Sequence, residues 1–400
     1  MGYARRRCDE SCFGPGFDSP RLHLAAGRVG KRRLGPHPFF TLRAAPPAYA
    51  TALGVMSNGL TGEMATHDPG KEAARDRAER AGDPASQPLK IGRSEIRFGT
   101  ASWTDPTLTR SGMFYPAGAD SAEERLRYYA SRFSMVEVDS SYYALPAKRS
   151  AELWVERTPA HFTFDIKAYA LLTGQPSEPN RLPTDLHDAL PETLKRKPRI
   201  YGKELPRDLF DVVWERFLDA VQPLHSSGKL GSVLLQFPRW FLPGPESREY
   251  ILDARNRLGD IGHAVELRNA RWFSERNSER TLRFFTDHDI PFVMVDEPQG
   301  LASSVPPLVA VTSPRLAVVR FHGRRSDLWE RRGVPTVERF RYLYDRAELG
   351  EWVPKVMEIA RKARQTHVIM NNCYGNYGTT NAMELARMVR EAESPVVAGG

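Results

Sequence analysis

Cysteine is scarce in this chain. The three thiols among 400 residues, Cys8, Cys12 and Cys373, are too few and too badly spaced to staple a secreted fold, so a reducing, cytoplasmic setting is expected. No third cysteine follows Cys8 and Cys12 closely enough to complete a metal or cluster motif. No stretch approaches the run of about 18 apolar residues that a membrane span requires. No Gly-x-Gly-x-x-Gly turn follows the first predicted strand, which removes the main sign of a dinucleotide fold. His-x-x-His and His-Glu-x-x-His motifs are missing as well, so no metal site is legible from local spacing.

A charge surplus is present, but it is unevenly placed. Residues 1–55 hold nine Lys/Arg against three Asp/Glu, which accounts for six of the net +8 and leaves +2 for everything after. A near-neutral folded part argues against a strongly electrostatic duplex-binding face. Residues 1–94 read as a disordered basic extension: arginine runs, scattered Gly and Pro, and a 68–83 stretch able to form only a marginal isolated helix. Arg5–Arg7 are followed by no apolar segment of the kind an export signal needs. The simplest expectation is an early start codon, with translation beginning at Met56 or Met64.

From residue 95 to about 395, short β-rich runs alternate with amphipathic helical patterns, the signature of βαβ units. Eight strands are predicted, at 96–103, 135–143, 161–168, 231–237, 262–268, 291–297, 316–322 and 367–373. Helix ends are recognisable between them: Ser121 with Glu124 forms a capping-box pattern, and Pro245 opens a helix that Gly259 stops. Eight strands with intervening helices predict an α/β fold of the closed (β/α)8, or TIM, barrel type. The connection 171–205 is unusually long, with five prolines and the basic run Lys195, Arg196, Lys197, and is expected to be a lid over the catalytic face.

Alternation along each strand separates a helix-facing set from a lumen-facing one. Keeping the apolar set outward turns Glu137 and Asp139, Asp165 and Lys167, Gln236, Glu266 and Arg268, Asp296, Arg320 and His322, and Asn371 or Asn372 inward, mostly near the C-terminal strand ends where barrel active sites assemble. Enclosed charges must be paired or serve a ligand. Structural ion pairing would satisfy that for any one residue, but apolar side chains fill a lumen at lower cost than so many charges.

The segments Phe98-Gly-Thr-Ala-Ser-Trp103, Val136-Glu-Val-Asp-Ser-Ser-Tyr-Tyr-Ala-Leu-Pro146, Phe162-Thr-Phe-Asp-Ile-Lys167, Val265-Glu-Leu-Arg268 and Val319-Arg-Phe-His-Gly323 resemble the YecE-like family, also called domain of unknown function 72. The resemblance implies a TIM-barrel-like fold and lends no reaction. One departure is visible: Thr173-Gly174 stands where many members have Thr-His.

The chemistry expected from the residues is an enzyme acting on a small polar or anionic metabolite. Glu137, Glu266 and His322 are the acid–base candidates, with Lys167 a possible base or Schiff-base nucleophile. Trp103, Asp139, Tyr142, Tyr143, Gln236, Arg268, Asp296, Arg320, Asn371 and Asn372 are the binding candidates, and no cofactor is specified. Two alternatives stay open. One is a divalent-metal barrel using Glu137, Glu266, Asp296 and His322. The other is a non-catalytic ligand binder, or one that stacks single-stranded nucleic acid on Tyr142, Tyr143, Trp103 and Trp272 with the basic run Lys195, Arg196, Lys197 beside them. Oligomeric state is not legible.

Overall fold

A computed structural model describes residues 68–394. Cys8, Cys12, the arginine runs, Met56 and Met64 lie outside them. All eight predicted strands are present: β1 (Ser94–Thr100), β2 (Met135–Val138), β3 (Thr163–Lys167), β4 (Leu230–Gln236), β5 (His263–Glu266), β6 (Val293–Asp296), β7 (Leu316–Phe321) and β8 (Gln365–Met370). They are shorter than predicted at the C-terminal ends, where the chain leaves the ladder for the loops that carry most of the candidate residues.

The strands form two parallel sheets, one in the order β1-β8-β7-β6 and one in the order β2-β3-β4-β5. A short strand, Leu89–Ile91, adds antiparallel to β1. Between the sheets, β5 meets the start of β6 through a single parallel bridge, Val265 to Phe292. At the opposite seam no ladder joins β1 to β2 among the described residues, but the Tyr129 hydroxyl accepts from the Thr100 amide at 2.9 Å and reaches the Met135 carbonyl at 3.3 Å. The backbones come so close there that a Cβ on Gly99 would lie 2.3 Å from the Met135 carbonyl oxygen.

Helices α1 (Pro69–Ala81), α2 (Ala122–Arg132), α3 (Lys148–Glu156), α4 (Arg207–Ser226), α5 (Pro245–Leu258), α6 (Ser278–Asp287), α7 (Val353–Lys362) and α8 (Tyr377–Glu393) accompany them. The Ser121/Glu124 capping box forms at the start of α2, and Gly259, at φ 61°, ends α5. Between β6 and β7 no helix is present among the described residues. Instead Val305 is buried and Leu308, Val309, Ala310 and Val311 pack on the core. A single hydrophobic core contains residues of every strand of both sheets.

One expectation fails here. Disorder through residue 94 does not hold for its last part, because α1 docks on α8: Ala74 is fully buried and Arg77 bonds Glu384 at 2.5 Å and the Tyr344 carbonyl at 2.6 Å. The stretch is a marginal helix in isolation, and tertiary contacts stabilise it. The 171–205 connection, expected as a lid-like loop, is ordered. Pro176–Ser177 pairs with Ile200–Tyr201, and Leu182, Leu186, Leu190 and Leu194 are all buried. It is a folded insertion.

Candidate active site

Register decides which side chains share the interior, because residues paired across parallel strands point to the same face. Glu137 pairs with Asp165, and Gln236 with Glu266. On the other sheet Arg320 pairs with Val295 and Ile369. The interior is crossed by Arg320, fully buried, which donates through Nη2 to Glu137 Oε1 at 2.6 Å and through Nη1 to Glu266 Oε2. One guanidinium therefore joins β7 of the first sheet to β2 and β5 of the second.

Glu266 is the hub. Its Oε1 accepts from Gln236 Nε2 at 2.8 Å and Arg268 Nη1 at 3.0 Å, and pairs with His322 Nε2 at 3.2 Å. The Asn371 amide meets His322 Nδ1 at 2.9 Å. An Nδ1 that accepts from the amide implies an Nε2–H that donates to Glu266, the neutral tautomer. Toward solvent, Lys167 Nζ pairs with Asp139 at 2.7 Å and lies 4.6 Å from the centre of the Tyr142 ring. The Tyr142 hydroxyl donates to Gln175 Oε1 at 2.7 Å, and Gln175 Nε2 donates to the Gln236 carbonyl at 2.9 Å. Tyr143 stands at the outer edge, 52% exposed.

The electrostatics separate two carboxyls that share one arginine. Burial pushes the Glu137 carboxyl up to about 7, because Arg320 offsets only part of the desolvation. Burial would raise Glu266 too, but Arg320, His322 and Arg268 hold it well below the usual range. His322 is driven down to about 3 by burial, against the pull of Glu266, and stays neutral. Glu137 Oε2 is buried with no hydrogen-bond partner among the described residues.

Several candidates fall elsewhere. Asp296 was expected inward, but it pairs with Phe321 and so faces the helices, where Trp352 Nε1 and the Tyr344 hydroxyl each donate to it at 2.7 Å and Arg324 at 2.8 Å. Asn372 faces the same way and binds the Tyr342 carbonyl and Asn381. Of the two asparagines, Asn371 belongs to the site. Trp103 follows Ser102, whose φ is 133°, and packs on Trp154 and Phe164 in the helix layer. Asp165 lies deeper, paired with His367 at 2.9 Å, below the Arg320 level. Lys167 is occupied by Asp139 rather than Glu137 and is not a free nucleophile.

The four donors of the metal alternative are not gathered, since Asp296 is on the other face, and no metal-binding group of three or more His, Cys, Asp or Glu occurs among the described residues. The stacking platform is not assembled either: Trp103 and Trp272 are buried, and Lys195 and Lys197 are paired with Glu192 and Glu204.

Three site residues were missed from sequence. Glu297 follows the outward Asp296 and is therefore inward. It accepts the Val305 amide at 2.6 Å, lies 3.3 Å from Arg268, and burial pushes it up to about 7. Trp329 covers the Arg268 guanidinium at 4.8 Å. Gln175 arrives on the insertion. Val293, Met294 and Val295 are all apolar, so β6 shows no alternation from which the inward side of Glu297 could be read. Nothing local pointed to the other two.

A cavity of about 770 Å³ lies beside this cluster rather than over it, with Gly174 and Pro238 in its wall. Enclosed, mutually bonded charges locate the chemistry better than open volume does, because a buried ion without a task is costly.

This is an α/β protein with a charged interior at the C-terminal ends of parallel strands. The model of the family described as protein of unknown function DUF72 matches residues 97–399, and the chain belongs to that family. It is 30% identical to the UPF0759 protein YunF of Bacillus subtilis over 297 residues, which cover 74% of this chain and 94% of YunF. It is 27% identical to the UPF0759 protein YecE of Escherichia coli K12 over 188 residues, 47% of this chain and 53% of YecE. A DUF72 family protein of Enterococcus faecalis V583 superposes with a TM-score of 0.60 at 26% identity, over 74% of this chain and 95% of that one. A DUF72 family protein of Thermotoga maritima gives 0.57 at 27% identity, over 74% and 99%.

Proposed function

We propose that the two sheets curl into one closed (β/α)8 barrel and that its interior is the active site of an acid–base enzyme acting on a small, hydroxyl-rich, uncharged substrate. The strand order, the Val265–Phe292 bridge and the Tyr129 link at the opposite seam support closure. A reducing cytoplasmic setting suits the one described thiol, Cys373, which is free and which burial holds well above its ordinary pKa.

One observation carries the reaction class: Glu137 and Glu266 share Arg320, yet one is tuned to about 7 with a bare Oε2 and the other is held ionised. Carboxyls driven apart in this way divide into a proton-transferring group and an electrostatic one. Glu137 is the proton donor or acceptor, near its ideal pKa for neutral pH. Glu266 orients His322 and Arg268 and stabilises positive charge. The preference for an uncharged substrate follows from pairing. Arg320, Arg268 and Lys167 are all engaged by carboxylates, so an anion would have to displace one of them. Gln236, Gln175, Asn371 and the faces of Tyr142 and Trp329 suit hydroxyls and C–H surface.

The test is a panel of polyols, aldoses, ketoses, small glycosides and small carboxylates, read by thermal shift and by mass-spectrometric turnover. A neutral hydroxylated compound is expected to stabilise the protein and be consumed, with Glu137→Gln retaining binding and losing turnover. Turnover unchanged in Glu137→Gln, or stabilisation by anions alone, overturns the reading.

A further inference from the structure

We infer that the aromatic cavity beside the polar cluster is a binding site for an amphipathic anion, an apolar body ending in one carboxylate or phosphate. The cavity lies between the folded insertion and the N-terminal ends of α4 and α5. Its volume, about 770 Å³, falls within the range of pockets that enclose a small organic ligand. Phe210, Trp240, Phe241 and Tyr250 line it. These walls are held in place: Phe241 stacks on Phe237 at 4.2 Å and on Trp272 at 5.9 Å, the Tyr250 hydroxyl donates to the Leu172 carbonyl at 3.1 Å, and the Trp240 indole donates to the Gly174 carbonyl at 3.4 Å.

Exposed apolar surface is concentrated here. Of the three large hydrophobic side chains exposed among the described residues, Trp240 at 52% and Leu242 at 41% both line this cavity. Such surface on an otherwise polar exterior marks a binding site. Gly174, at φ 71°, takes the left-handed conformation that glycine favours and turns the chain at the cavity wall.

Charge selects the ligand. Lys203 and Arg207 line the cavity and are exposed, and neither has an ion-pair or hydrogen-bond partner among the described residues, whereas nearby Lys195 and Lys197 are both paired. None of the lining residues is acidic. Two unpaired cations at the mouth of an apolar cavity complement a ligand with an apolar body and an anionic end. The site is separate from the polar cluster, since none of Glu137, Glu266, Arg268, Arg320 and His322 lines it.

The full chain is titrated with 8-anilinonaphthalene-1-sulfonate, followed by displacement with decanoate, decanol or decyltrimethylammonium. Saturable binding at one dye per chain is expected, displaced best by decanoate and weakened by salt. Lys203→Glu with Arg207→Glu, both at exposed unpaired positions, should weaken decanoate by about tenfold while leaving decanol unchanged. Ser247→Trp should fill the cavity and remove the saturable phase with the circular-dichroism spectrum intact. Leu242→Glu, at an exposed position, carries the same expectation if the tryptophan variant does not fold. Displacement indifferent to head-group charge, decanoate affinity unmoved by the charge reversal, or saturable dye binding that persists in the folded cavity variant overturns the inference.

Discussion

Arg320 holds two carboxylates from the opposite sheet, and all three groups are fully buried. Removing one member of such a set leaves uncompensated charge in a low-dielectric interior, so Arg320→Met should lower unfolding free energy by roughly 3–5 kcal/mol in urea titrations. The triple variant Arg320→Met, Glu137→Gln, Glu266→Gln, which removes the charges as well as the pairing, should recover much of that loss. Glu137 makes a separate, pH-dependent prediction. Its folded pKa, about 7, is raised from 4.5, so the folded state holds a proton that the unfolded state releases first. The stability difference between wild type and Glu137→Gln should therefore decline as pH rises from about 4.5 to about 7 and stay flat above, measured by denaturation at a series of pH values. A difference that grows with pH across that window would show Glu137 to be an ordinary ionised ion-pair member. His322 works in the opposite sense, losing stability as pH falls below its ordinary value, which is why the comparison is made between variants differing only at Glu137. Most of this cluster was legible as strand alternation. What failed was phase: a one-residue difference at β6 moved Asp296 to the helix face and brought Glu297 inward, and a strand whose Val293, Met294 and Val295 are all apolar carries no alternation to set that phase. Trp103 was lost for the same reason, lying past Ser102 and outside the ladder.

Among the elements, the β1–β2 seam is the place where backbone approach substitutes for a ladder. Gly99→Ala would place a methyl 2.3 Å from the Met135 carbonyl, a backbone group that cannot step aside, and should destabilise by roughly 1–3 kcal/mol. Tyr129→Phe, which leaves the buried Thr100 amide without its acceptor, should cost about 1–3 kcal/mol in the same urea titration. If both variants unfold like wild type, the seam is not a structural joint and closure of the barrel loses its main support. The regular structure of the insertion went unread because its prolines argue for irregular chain. Pro183 and Pro191 in fact cap short helices, and Leu182, Leu186, Leu190 and Leu194 keep a four-residue spacing through them. That spacing was the available signal. α1 offered almost none, since Ala74 is its one buried side chain and its attachment uses partners about 300 residues away, Arg77 reaching Glu384 and the Thr380 hydroxyl donating to the Ala74 carbonyl.

At the scale of the whole described unit, the question is whether two sheets behave as one. A single hydrophobic core contains residues of both, and the Arg320 guanidinium bonds across the interior between them. Neither sheet can expose its inner face without breaking that core and uncovering paired charges, so separation of the sheets should coincide with loss of the fold. The tryptophans report on different regions: Trp103 and Trp154 beside β3, Trp214 on α4, Trp272 after β5, and Trp352 packed against Phe321 of β7. Urea unfolding followed by far-ultraviolet circular dichroism should therefore coincide with the transition seen by total tryptophan fluorescence and with that of a variant retaining only Trp352. A fluorescence transition at Trp352 that precedes the loss of helical signal would mean that the β1-β8-β7-β6 sheet opens independently, and the interior cluster would then be an interface between two half-structures rather than the centre of one barrel.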